Sequence, residues 1–115
     1  MNWNILDKVE QLDAIRRRSH EVPCLIFKHS TTCVISVTAK QRMESDWDFK
    51  ADEIEAYYLD LLQLRPISNA IASDFGVHHE SPQVLLIRNG ECIYDASHLD
   101  IQVSEIREYL EGVAN

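Results

Sequence analysis

The stretch VPCLIFKHSTTCVIS, residues 22–36, decides the predicted fold. Its apolar run, Cys24 to Phe27, has the length and composition of a buried strand. A polar turn follows at His29 to Thr32, and the segment after Cys33 is predicted to be a helix. Cys33 therefore lies where a strand passes into the N-terminus of a helix. The free backbone N–H groups and the positive end of the helix dipole favour an anion there, so a reactive thiolate is expected.

The length and charge of the chain limit the classes of protein that it can belong to. Its 115 residues are 45% hydrophobic, which is enough for one ordinary domain with a single core. The 11 basic and 19 acidic residues give a formal net charge of −8, and such a surface does not attract nucleic acid or anionic lipid. The basic cluster Arg16–Arg18 is expected to be the solvated last turn of a helix. No signal-peptide pattern and no stretch of transmembrane length is found, so a soluble cytoplasmic protein is expected.

Hydrophobic periodicity predicts the element order αβαβαββα. The predicted helices are Trp3–Ser19, the segment after Cys33 as far as Trp47, Pro66–Phe75 and Ser104–Glu111, and the predicted strands are Val22–Phe27, Ile54–Leu62, Gln83–Ile87 and Glu91–Asp95. On the second helix, one buried stripe is predicted from residues that recur every four positions: Ile35, Ala39, Met43 and Trp47. Strands separated by helices are expected to pair in parallel, and the hairpin signal at Asn89-Gly90 adds an antiparallel edge. The prediction is one α/β domain over residues 1–115, with a mixed four-stranded sheet and helices on both faces.

The three cysteines, Cys24, Cys33 and Cys92, form no C-x-x-C pair, and their odd number argues against a disulfide framework. Cys24 and Cys92 fall within predicted strands; packing in the core is expected for Cys24, whereas accessibility at the sheet edge stays open for Cys92. Cys33-x-x-Ser36 has the spacing of a dithiol site in which a hydroxyl replaces the second sulfur. A dithiol pairing of Cys33 with Cys24 or Cys92 stays open as an alternative, and it requires a Cα separation of about 4.4–6.8 Å.

The residues around Cys33 resemble a known family. The segment TTCVIS, residues 31–36, resembles the T-C-P-I-S active site of the YtxJ-type monothiol bacilliredoxins. The segments SNAIA at 68–72, FGV at 75–77 and HESPQ at 79–83, together with Asn89-Gly90 and Ser97-His98, are similar to the rest of that family. The resemblance spans Trp3 to Leu110 and implies a thioredoxin-like fold.

The resemblance also implies an activity. Members of this family reduce mixed disulfides between proteins and bacillithiol, a low-molecular-weight thiol. By resemblance, the nucleophile is Cys33, and the proline that faces the active site, cis in known relatives, is Pro82. Val34 stands where the family usually has proline, which restores a backbone N–H donor and leaves partner choice open. The implied partners are S-thiolated client proteins, with bacillithiol or a similar thiol as co-substrate and no tightly bound cofactor.

Further candidate residues surround Cys33. The residues predicted to contact the bound thiol or the client are Thr32, Val34, Ser36, Ser81 and Pro82. Lys28 and His29 are expected either to lower the pKa of the Cys33 thiol as nearby cations or to form a solvated loop pair. His98 and Asp100 are expected in an ordinary hydrogen-bonded loop. The five histidines have no structural-zinc spacing, so no metal site is expected.

The spacing at Cys33 indicates how the chemistry would proceed. Attack of a thiolate on a mixed disulfide forms a new mixed disulfide. With Ser36 in place of a second cysteine, this product cannot be resolved internally, and a second small thiol or an external reductase must regenerate Cys33. The alternative hypothesis is a thioredoxin-fold interaction or redox-sensing module in which Cys33 only registers oxidation. Such a module would bind its partner equally well after Cys33→Ser.

Overall fold

The computed structural model describes residues 1–112, which form five strands, four α-helices and one 3-10 turn. The strands are β1 (Trp3–Ile5), β2 (Cys24–His29), β3 (Glu55–Asp60), β4 (Gln83–Arg88) and β5 (Glu91–Ser97). The helices are α1 (Gln11–Arg18), α2 (Val34–Asp46), α3 (Arg65–Phe75) and α4 (Val103–Glu111), and the 3-10 turn is His98–Asp100. None of the described helices is long and apolar enough to cross a membrane.

All five strands belong to one mixed sheet in the order β1-β3-β2-β4-β5. β3 is parallel to both of its neighbours, β1 and β2, whereas β4 is antiparallel to β2 and to β5. Side chains from α2 and α4 pack on one face of the sheet, and side chains from α1 and α3 pack on the other. The predicted mixed sheet with helices on both faces is therefore confirmed, with five strands rather than four.

The additional strand, β1, lies in the segment that the sequence pattern predicted as the start of the first helix. Trp3 pairs with Ala56 of β3, and its indole ring stacks on Phe27 with 5.6 Å between ring centroids. The helix begins only at Gln11, whose side-chain oxygen accepts the backbone N–H groups of residues 7 and 8 at 2.8 Å. Pairing at the sheet edge thus overrides the helical periodicity. Arg16–Arg18 form the last turn of α1, as predicted.

The direction of β4 also differs from the prediction. A strand that follows a helix was expected to run parallel to its neighbour, but β4 begins opposite Lys28, near the carboxyl end of β2. The segment 76–82 brings the chain from α3 to this same end of the sheet, so the next strand must run back. At the far end of β4, Asn89 and Gly90 have φ values of 53° and 80° and form the predicted hairpin turn into β5.

The central strand β2 separates the two cores. All six of its residues are buried, and successive side chains of a strand point to opposite faces. Leu25 and Phe27 pack in the core beneath α2 and α4, whereas Cys24 and Ile26 pack in the core beneath α1 and α3. The last two residues, Lys28 and His29, continue this alternation and so point to opposite faces.

The buried face of α2 is not the predicted one. Its buried residues are Ser36, Ala39 and Met43, whereas Ile35 is 42% exposed. Positions 36, 39 and 43 also form a helical stripe, and the hydroxyl of Ser36 finds hydrogen-bond partners inside the protein. A polar residue was therefore buried in place of an apolar neighbour. Trp47, predicted to continue the stripe, lies just after the helix and packs against Phe49.

Candidate active site

Cys33 is the N-cap residue of α2 and follows β2 by a short turn. Its backbone is extended, with φ −101° and ψ 122°, and its carbonyl accepts the N–H of Val37 at 3.0 Å. Its own N–H donates to the carbonyl of Ser30 at 3.2 Å, which closes the turn. The side chain is partly exposed, and the first turn of α2 contains no acidic residue. The sulfur therefore lies at the positive end of a helix and within reach of a partner from solvent.

Ser36 and His29 hold this turn from inside the protein. The Ser36 side chain is fully buried, and its Oγ accepts the N–H of Ser30 at 2.9 Å. The same Oγ lies 2.6 Å from Nδ1 of His29, so one of these two groups donates a hydrogen bond to the other. Burial, and next the charge of Lys40, lower the pKa of His29, which keeps the imidazole neutral at neutral pH. His29 therefore acts as an internal hydrogen-bond partner and supplies no positive charge at the site.

Aromatic side chains fix the ring of His29. Its centroid lies 5.4 Å from that of Phe27 and 5.5 Å from that of Tyr58. Trp3 stacks on the other side of Phe27. The strand β1 that the sequence pattern missed thus contributes to the packing behind the site.

Lys28 is buried completely on the opposite face of the sheet. Its Nζ donates to the carbonyl of Ser68 on α3 at 3.2 Å and contacts Nδ1 of His79 at 3.3 Å. Burial lowers the pKa of Lys28 to about 8. Within residues 1–112, none of the ion pairs involves this amine. The alternative of a solvated loop pair is therefore wrong for both Lys28 and His29.

The segment before β4 lies at the same end of the sheet as the turn of Cys33. The bond between Ser81 and Pro82 is cis, in agreement with the prediction, and Pro82 is buried. The ladder between β2 and β4 ends at the pair Lys28–Gln83, so Pro82 and Ser81 follow it at the same end of the sheet as His29 and Ser30.

His98, which was expected in an ordinary hydrogen-bonded loop, contacts this segment. His98 donates its backbone N–H to the carbonyl of Pro82 at 3.0 Å, and its Nε2 lies 3.6 Å from the Glu80 carboxylate. Its φ of 56° is in the left-handed region. It is the first residue of the 3-10 turn that ends at Asp100. The sequence contains no pattern that pairs residue 98 with residue 82, since the contact depends on the β4–β5 register.

The remaining candidate contacts divide by exposure. Thr32 and Val34 are exposed, and Val34 is 80% accessible directly beside Cys33. Ser36, in contrast, has both of its hydrogen-bond partners inside the fold and lies out of reach of a ligand at the surface. Thr32 and Val34 are thus free to meet a partner, whereas Ser36 acts on the shape of the turn.

Cys24 and Cys92 lie far from Cys33. Both pair with Ile87 from opposite sides, so two strand spacings, about 10 Å, separate them. Cys24 lies at the amino end of β2, and Cys92 lies level with it on β5. Cys33 follows the carboxyl end of β2, which is roughly 16 Å from Cys24 along the strand. A disulfide needs Cα atoms within about 7 Å, so neither cysteine can pair with Cys33 without large backbone movement. Burial raises the pKa of Cys24 to about 12 and that of Cys92 to about 11, which disfavours the reactive thiolate form.

The cleft that the structure describes lies away from Cys33. A cleft of about 400 Å³ lies at the amino end of the sheet, between β1 and the segment before β3, and its walls include Asn4, Trp47 and Ile54 but not Cys33. Within residues 1–112, no three side chains of His, Cys, Asp or Glu come together so that they could hold a metal ion. This cleft is therefore not a binding pocket that contains Cys33.

A partly exposed cysteine at a strand-to-helix junction, on a mixed sheet covered by helices, defines a thiol oxidoreductase of the thioredoxin fold. The family model for "Monothiol bacilliredoxin BrxC" matches residues 4–106. The chain therefore belongs to the monothiol bacilliredoxin family, which confirms the resemblance seen at residues 31–36.

Solved structures agree with this fold. One, described as a candidate oxidoreductase with a thioredoxin fold, is 31% identical with a TM-score of 0.75, covering 93% of this chain and 91% of that chain. Thioredoxin from Malassezia sympodialis is 14% identical with a TM-score of 0.73 and coverages of 99% and 92%. Thioredoxin from Trypanosoma brucei brucei is 15% identical with a TM-score of 0.71 and coverages of 97% and 90%. At such low identity, the two thioredoxins show the shared fold alone.

The hydrogen bonds of Ser36 predict a loss of stability on its removal. Ser36→Ala leaves the buried N–H of Ser30 without its acceptor, so we expect the free energy of unfolding to fall by about 1–3 kcal/mol. Urea unfolding followed by circular dichroism measures this change. Ser45→Ala, at an exposed position of the same helix, is the matched control and should change stability by no more than about 0.5 kcal/mol. Equal effects of the two substitutions would contradict the structural role of Ser36.

The buried amine of Lys28 predicts a dependence of stability on pH. Its pKa is 10.5 in the unfolded chain and about 8 in the folded protein, so between these values only the unfolded state holds the proton. The contribution of Lys28 to stability therefore rises with pH from 8 to 10.5 and is lost as the pH falls through 8. We expect the free energy of unfolding of the wild type, minus that of Lys28→Met, to rise over this range by at most about 3 kcal/mol.

Urea unfolding at a series of pH values measures this difference. Lys50→Met, which replaces an exposed lysine in the segment before β3, should show no such rise. A difference between wild type and Lys28→Met that stays constant from pH 7 to pH 10.5 would contradict the buried, uncompensated amine.

Proposed function

We propose that this protein is a monothiol thiol–disulfide oxidoreductase that removes bacillithiol, or a similar low-molecular-weight thiol, from client proteins. The observation that carries the proposal is the partly exposed Cys33 at the N-terminus of α2, with no second cysteine in reach. Membership of the monothiol bacilliredoxin family supports the same reaction. All three cysteines are free thiols, which agrees with a reducing compartment such as the cytoplasm.

The reaction begins with the Cys33 thiolate. It attacks the sulfur of the small thiol in the mixed disulfide, a bond forms between these two sulfurs, and the disulfide bond to the client breaks. The electron pair of the broken bond leaves with the client sulfur, which takes up a proton and becomes a free thiol. A second small thiolate then attacks the adduct on Cys33, forms a disulfide of two small thiols, and releases the Cys33 thiolate.

The structure around Cys33 supports a reaction in which Cys33 makes the first attack and an external thiol releases the adduct. The N-terminus of α2 favours the negative charge on the attacking and the leaving sulfur. Ser36 occupies the position of a resolving cysteine, but its hydroxyl is buried and engaged with His29 and Ser30. Release of the adduct is therefore left to an external thiol.

The client would bind along the turn that contains Cys33 and along the segment before β4. Thr32 and Val34 border Cys33 on one side, with Val34 offering apolar surface and a backbone N–H donor. We place the backbone of Ser81, at the cis bond before Pro82, on the other side of Cys33, where an extended client segment would pair with it. Thr32, Val34 and the backbone of Ser81 are proposed as the contact residues, and the buried ring of Pro82 is proposed to shape the segment that presents Ser81.

Intact-mass spectrometry with a bacillithiolated client protein tests the proposal. The wild type should gain one small-thiol adduct and release a reduced client, whereas Cys33→Ser should gain none. Cys92→Ser is the matched control and should accept the adduct like the wild type.

Other outcomes of this experiment change the conclusion in defined ways. Transfer from a glutathionylated client but not from a bacillithiolated one would keep the mechanism and change the small thiol. No transfer of the small thiol from either client, with partner binding that survives Cys33→Ser, would overturn the proposed enzymatic activity. It would favour the alternative of an interaction module.

A further inference from the structure

We propose that Lys28 is a positioning residue that holds the segment 78–82 in the conformation that receives the client backbone. This inference rests on the proposed function and adds a residue that acts on client binding without contact to the reacting sulfurs.

Lys28 and Gln83 form a buried polar pair across two neighbouring strands. They are register partners on β2 and β4, and their exposed fractions are 0% and 1%. Both side chains reach the same segment. Lys28 contacts Nδ1 of His79, whereas Gln83 donates to the carbonyl of His78 at 2.9 Å and accepts the N–H of Glu80 at 3.4 Å.

His79 is suited to receive the hydrogen bond from Lys28. Burial, and next the charge of Lys28, lower the pKa of His79, so the imidazole is neutral and Nδ1 can accept. Ser68, on α3, completes the contact: its carbonyl accepts from the amine at 3.2 Å, and its Oγ lies 3.1 Å from the same Nδ1. The amine therefore joins strand β2, helix α3 and the segment 78–82 at one point.

The fold itself does not require a lysine at this position. On the same face of β2, the preceding residues Cys24 and Ile26 pack in the apolar core, and an apolar side chain at position 28 would extend it. A buried ammonium without a carboxylate partner is unfavourable to folding, so its replacement by an apolar residue of similar volume removes this cost. Lys28 therefore lowers the stability of the fold and contacts the segment 78–82. A residue of this kind is expected where function, here the binding of the client, requires it.

The two sides of the site are held independently. The turn of Cys33 is held by His29 and Ser36 on the α2 face, and the segment 78–82 is held by Lys28 on the α3 face. Removal of the Lys28 amine should therefore loosen the client contact at Ser81 while the reactivity of Cys33 is retained. This separation distinguishes a positioning role from a general loss of structure.

The experiment compares Lys28→Met with His79→Ala, with the double variant, and with the control Lys50→Met. We measure kcat and KM for a bacillithiolated client protein, the rate at which iodoacetamide alkylates Cys33, and the melting temperature. For Lys28→Met we expect KM to rise by on the order of tenfold, with kcat and the alkylation rate unchanged and the melting temperature equal or higher. His79→Ala should raise KM similarly, and the double variant should be no worse than either single one because both remove the same contact.

Two results would overturn the inference while the proposed function stands. One is an unchanged KM in Lys28→Met, and the other is a parallel loss of client reduction and of Cys33 alkylation, which would indicate a structural role only. A wild-type protein that reduces no mixed disulfide would instead overturn the proposed function and, with it, this inference.

Discussion

The carboxyl end of β2 carries two buried basic side chains on opposite faces of the sheet, and both loops of the site are hydrogen-bonded to them. On one face, His29 meets Ser36, which fixes the turn that presents Cys33. On the other face, Lys28 meets His79 and so fixes the segment of Pro82. Because adjacent residues of a strand point to opposite sides, one dipeptide at the end of the central strand supports both halves of the site.

These hydrogen bonds hold the residues around Cys33 in place and leave Cys33 as the single sulfur of the site. The hydroxyl of Ser36 is hydrogen-bonded to His29 and Ser30 within the protein, so the turn before α2 is held away from Cys24 and Cys92 at the other end of the sheet. Cys33 thus has solvent on one side and hydrogen-bonded backbone on the other. The geometry leaves Cys33 without a partner for an internal disulfide.

Much of this arrangement could be predicted from the sequence. The apolar run that forms β2, the turn before Cys33, the Asn89-Gly90 hairpin and the cis bond before Pro82 all depend on local signals or on the family resemblance. The burial of Lys28 and His29 could not be predicted, because lysine is rarely buried and a charged residue normally marks the end of a strand. Their burial depends on acceptors from α3 and α2 that lie far along the chain.

The other differences have the same origin in tertiary structure. The three residues of β1 form a strand only because β3 offers a free edge, and the direction of β4 follows from where segment 76–82 returns to the sheet. On α2, Ile35 and Ser36 are equally compatible with a helical stripe, and the partners of the Ser36 hydroxyl decide which one is buried. Local pattern identifies such elements but does not specify their partners.

The central claim is that a single sulfur carries the exchange, and turnover by a protein with only that sulfur tests it most directly. In the variant Cys24→Ala/Cys92→Ala, Cys33 is the sole cysteine. With a bacillithiolated client and free bacillithiol, this variant should complete multiple turnovers at close to the wild-type rate, with the Cys33 adduct as the only covalent intermediate in the mass spectrum. Loss of turnover in a folded variant, together with an internal disulfide of Cys33 in the wild type, would contradict the account.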